Sequence, residues 1–102
     1  MKIYIVKYCA NECDDFSYES PYPIFYSLDK KKARDFFEDL REKCTEHFND
    51  WINSHPELRN NEDYQFTKND NDCFEYSMGK WSHTYEYCED EMNVDLRYHI
   101  NN

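Results

Sequence analysis

The chain has one glycine and three prolines in 102 residues. That excludes collagen-like repeats and glycine-rich linkers. It also excludes phosphate-cradling loops, which need several glycines at fixed spacing. Aliphatic side chains are scarce too. Leu, Ile, Val and Phe together supply only 18 residues. No apolar stretch approaches the roughly 20 residues that a membrane-spanning helix needs. Lys2 and Lys7 bracket a strand-like run with no small-residue cleavage site after it. No secretory signal is therefore expected, and the expected compartment is the cytoplasm. Bases are few as well: 12 Lys+Arg face 22 Asp+Glu, a formal charge of −10.

Low aliphatic content with high net charge is the composition of a disordered chain. The residues that are abundant argue the other way. There are ten Tyr, seven Phe and two Trp, and each buried ring removes about 150–250 Å² from water. The expectation is one folded domain, residues 1–102, with an aromatic core.

The acidity is uneven. Residues 1–50 carry eleven acids and eight bases, whereas residues 51–102 carry eleven acids and four bases. Such a chain repels nucleic acid and anionic lipid and attracts an electropositive partner. Solubility alone is the plainer explanation of the same charge.

Five cysteines occur, Cys9, Cys13, Cys44, Cys73 and Cys88. An odd count without a secretory signal points to reduced thiols. Cys9 and Cys13 have the C-x₃-C spacing of half a zinc site, but the spacings of Cys73, His83 and Cys88 complete no zinc motif. Asp70-Asn71-Asp72 lacks the glycine and the later bidentate Glu of a calcium loop. No metal and no cofactor is expected. No catalytic residue is expected either, because no cysteine sits in a recognisable nucleophile motif.

Residues 2–8 (KIYIVKY) are apolar on both faces and read as a central strand. Residues 10–21 read as a loop, and 22–26 (YPIFY) as a short strand that Pro23 confines to an edge or a strand start. Ser27 or Asp29 then caps a helix. In it Ala33, Phe36, Phe37, Leu40, Cys44, Phe48, Trp51 and Ile52 recur at three- and four-residue spacing, up to the stop at Pro56. Glu38, Glu42 and Glu46 form like-charge i,i+4 pairs on its outer face, each costing about 0.2–0.5 kcal/mol. Lys30, Lys31 and Lys32 stand in its first turn, where the helix dipole disfavours cations.

The second half alternates. Tyr64 and Phe66 begin a strand and Asn69 to Asp72 form a turn. Phe74, Tyr76 and Met78 make the hairpin partner, and Gly79-Lys80 turns again. His83, Tyr85 and Tyr87 follow, Cys88 to Glu91 interrupt, and Met92 to Ile100 alternate as a last strand. The expected fold is α+β. A mainly antiparallel sheet of about five or six strands carries one long amphipathic helix on one face. The other face is expected to be wet and studded with tyrosines and acids.

Acids interleave with aromatics at several places, and that pairing is suited to basic partners. The candidate contacts are Asp14, Asp15, Tyr18, Glu19, Asp70, Asp72, Tyr76, Tyr85, Glu86, Glu89, Asp90 and Glu91. Alternate residues on a strand stand about 6.6–6.8 Å apart, so a row of strand carboxylates can imitate a row of phosphates.

The segments MKIYIVKY and PIFYSLDKKKARDFFEDLREK resemble small acidic proteins of bacteriophages and mobile elements. These share a "MKIY-V" strand and a Ser/Thr-x-x-Lys-Ala helix entry, here Ser27 to Ala33. Such proteins include anti-CRISPR and anti-restriction inhibitors, many of which occupy the nucleic-acid site of a defence nuclease. The resemblance covers residues 1–45 and implies a viral, non-enzymatic inhibitor. Its partner would be a basic nucleic-acid-binding protein such as a CRISPR effector nuclease, met in the host cytoplasm. A homodimeric assembly module paired through an open sheet edge is the alternative.

Overall fold

The computed structural model describes residues 1–12 and 21–91. The expected last strand, Met92 to Ile100, lies outside the described residues, as do Cys13, Asp14, Asp15, Tyr18 and Glu19. Five strands form one sheet: β1 (Lys2–Glu12), β2 (Tyr22–Ser27), β3 (Phe66–Asp70), β4 (Cys73–Met78) and β5 (Trp81–Glu91). Their order is β2-β1-β5-β4-β3, and every neighbouring pair is antiparallel. A helix, α1 (Lys30–Ser54), joins β2 to the second half and packs on one face. The fold is α+β.

Two boundaries differ from the sequence reading. β1 continues through Ala10–Glu12, which read as loop, and β5 runs through Cys88–Glu91, which read as an interruption. The cause is shared: each strand supplies the other's ladder, from Lys2 opposite Glu91 to Glu12 opposite Trp81. Pairing with a long partner overrides the weak strand preference of Asn and acidic residues. The turn after β3 is also tighter than read, because Asn69 and Asp70 belong to the strand and only Asn71-Asp72 bend.

The helix starts where a short polar side chain meets its first free amides. Asp29 Oδ1 accepts from the backbone N–H of Lys31 at 2.9 Å and of Lys32 at 3.4 Å, and Ser27 Oγ accepts from Asp29 N–H at 2.9 Å. It stops at His55, since Pro56 cannot continue it. Gly79 makes the β4–β5 hairpin possible. Its φ of +68° is the positive value that a two-residue II′ turn needs at its first position.

The core is aromatic. Val6, Ala33, Phe37 and Phe74 are fully buried, and Phe48, Ile52, Tyr76 and Tyr87 complete the cluster. Phe37 lies 5.4 Å from Phe74, Phe25 stacks on Phe36 at 4.4 Å, and Phe48 meets Phe66 edge-on at 5.1 Å. Cys44 packs against this cluster as a small apolar residue. Strand alternation places Tyr4, Tyr8, Tyr76, Tyr85 and Tyr87 on the helix side. The far face is therefore not the tyrosine-rich surface expected from the sequence. It carries Glu75, Thr84, Glu86 and Asp90, and it also buries Ile3, Ile5 and Cys9.

Candidate interaction surface

Four of the sequence-predicted acids gather at one end of the sheet. Glu89, Asp90 and Glu91 line a depression with Lys2. Beside it, Glu89 and Asp72 line a groove of about 450 Å³ with Lys30, Arg34, Asn71 and Tyr87. These carboxylates are largely committed within the chain. Glu89 pairs with Lys30 at 3.3 Å and Lys2 at 3.5 Å, Glu91 with the N-terminal ammonium at 3.3 Å, and Asp72 with Arg34 at 2.8 Å. Lys30 hydrogen-bonding to Glu89 holds that carboxyl below its usual range. Two of the three first-turn lysines thus have internal partners: Lys30 holds Glu89, and Lys31 holds Asp35 at 2.6 Å.

Asp72 belongs to a clamp. Arg34 donates to Asp72 Oδ1 at 2.8 Å and to the Asn71 carbonyl at 3.1 Å. Arg41 donates to Asn69 Oδ1 at 2.5 Å and to the same carbonyl at 2.9 Å. Both guanidinium groups lie over rings, Arg34 at 4.6 Å from the Tyr87 centroid and Arg41 at 5.0 Å from that of Phe37. Glu38 braces both. It lies 3.4 Å from Arg41 Nε, an ion pair whose geometry is off the line of a hydrogen bond.

The remaining predicted contacts disperse. Asp70 and Glu86 lie on the far face, opposite Cys73 and Lys7, and of the four gathered acids Asp90 also stands on that face, opposite Ile3. The β5 carboxylates therefore split between the two faces and form no single row. Tyr76 and Tyr85 are turned under the helix, where Tyr76 is only 9% exposed. Burial, and then Cys44 beside them, pushes both hydroxyls well above the usual phenol range. Their rings fill space between sheet and helix and are not offered to a partner.

The cysteines are reduced where described, with Cys9 buried and Cys44, Cys73 and Cys88 partly so. Burial pushes the Cys73 and Cys88 thiols up, and Glu86 adds to both shifts. Among the described residues no three of His, Cys, Asp and Glu converge on a common metal position.

Two groups of surface residues escaped the sequence reading. The first is a carboxylate ridge on α1. Asp35, Glu38 and Asp39 pair with Lys31, Arg34 and Lys43. One turn further on, Glu42, Glu46 and Asp50 are exposed, and no described base pairs with them. Spaced four apart, they stand about 6 Å from one another along the axis. The signal was present in the sequence, because like charges at i,i+4 carry a cost that the Asp39–Lys43 pair offsets only in part. The second group is Tyr22, Ile24 and Trp81, which are 48%, 37% and 49% exposed. Periodicity marks such residues as strand formers without saying where the helix ends its cover.

Compared with protein-family models, curated proteins and solved structures, the chain matches none. No helix is long and apolar enough to cross a membrane among the described residues.

Proposed function

We propose that this protein is a binding module for a basic, nucleic-acid-handling protein, acting as an anti-CRISPR-like inhibitor that covers the partner's nucleic-acid site. The observation that carries this reading is the α1 ridge of Glu42, Glu46 and Asp50, exposed and without counter-ions in the described residues. The acids of the Asp72–Glu89 groove hold the fold together, while the ridge acids form no ion pair among the described residues, and only Lys43, held by Asp39, stands near Glu42. A surface that costs stability and repels nucleic acid gains energy against clustered Arg and Lys. Such clusters are what a protein uses to hold a phosphate backbone. Asp90, and Glu86 on the far face, extend the same sign of charge. Nucleic-acid mimicry is the stronger form of the proposal, with the helix ridge replacing the strand row expected from the sequence.

The test is cleavage of target DNA by purified CRISPR effector nucleases in the presence of this protein. Inhibition that fades as salt rises from about 0.05 M to about 0.3 M supports the reading. Full cleavage across the panel at low salt counts against it.

A second reading rests on β2. This edge strand has no charged residue in a protein that is 33% charged, whereas the other edge, β3, carries Lys68 and Asp70. Charged edges resist pairing with further strands. A dimer that covers Tyr22 and Ile24, seen by light scattering, favours the assembly module.

A further inference from the structure

We draw no further inference here: the strongest candidate, the far face of the sheet around Ile3, Ile5 and Cys9, which are buried there although α1 packs on the opposite face, carries nothing because nothing in the described residues shows what covers it.

Discussion

Replacing Arg41 with alanine tests how the β3–β4 turn is held. Its guanidinium makes two hydrogen bonds to the turn, to Asn69 Oδ1 and to the Asn71 carbonyl, and it lies over Phe37 and Phe74. Its side chain is only 17% exposed. A hydrogen bond to a charged group contributes about 1.5–3 kcal/mol net. Asn69 and Asn71 are themselves exposed, so water replaces part of what is lost and the lower end applies. Ring contacts add about 0.5–1 kcal/mol. Some of this is shared with Arg34, which holds the Asn71 carbonyl too. The expected loss is about 2–3 kcal/mol, or roughly 8–20 °C in Tm for a domain of this size. Arg41→Lys keeps the charge but loses the fork, and should recover about half. Thermal unfolding followed by circular dichroism, with urea titration for the free energy, measures both. A loss below about 0.5 kcal/mol for Arg41→Ala would refute the clamp, because surface substitutions alone stay in that range.

Gly79→Ala should cost about 1–2 kcal/mol in urea titration, since φ is +68° and L side chains disfavour that region. A Cβ there would also stand 3.1 Å from the Tyr64 hydroxyl. Phe37→Ala, which empties a fully buried site, should cost about 3–5 kcal/mol by the same measurement. Burial, and then the Glu89 carboxylate, push Tyr87 up to about 12. The folded state therefore keeps a proton that the unfolded chain releases near pH 10. This stability is complete below about pH 10 and is lost as pH rises toward 12. Tyr87→Phe should move the alkaline unfolding midpoint upward, and phenolate absorbance measured alongside should lose a component that titrates near pH 12, before Tyr76 and Tyr85.

The helix was legible in detail because three signals coincide there: the Asp29 cap, the stripe from Ala33 to Ile52, and the stop at Pro56. The β4–β5 hairpin was legible for a similar reason, as Gly79 sits between two alternating runs. The far ends of β1 and β5 were not legible. Asn11, Glu12, Glu89 and Asp90 form strands only because each faces a partner that lies 69 to 87 residues away in the sequence. The candidate surface was legible in sign but not in place. Alternation says that Tyr85 and Glu86 face opposite ways, yet it does not say which way the helix lies. Tyr76 and Tyr85 read equally well as surface anchors and as core, and the helix decided in favour of core. Asp72 and Glu89 read as free carboxylates because Arg34 and Lys30, their partners, are distant in sequence. Glu42 and Glu46 were visible as a local cost and Asp50 was not, and the lack of ion pairs at all three among the described residues emerged only once the neighbouring acids were seen to be paired.

The most direct test of the acidic ridge is the salt dependence of association between this protein and any CRISPR effector nuclease whose cleavage it proves to inhibit in the assay above. It is measured for the native chain and for the triple variant Glu42→Gln, Glu46→Gln, Asp50→Asn, which touches none of the ion pairs among the described residues. The account predicts tight binding at low salt that weakens steeply as salt rises, and a variant that is folded, binds more weakly and has a shallower slope. Equal affinity and equal slope for the two chains would contradict it.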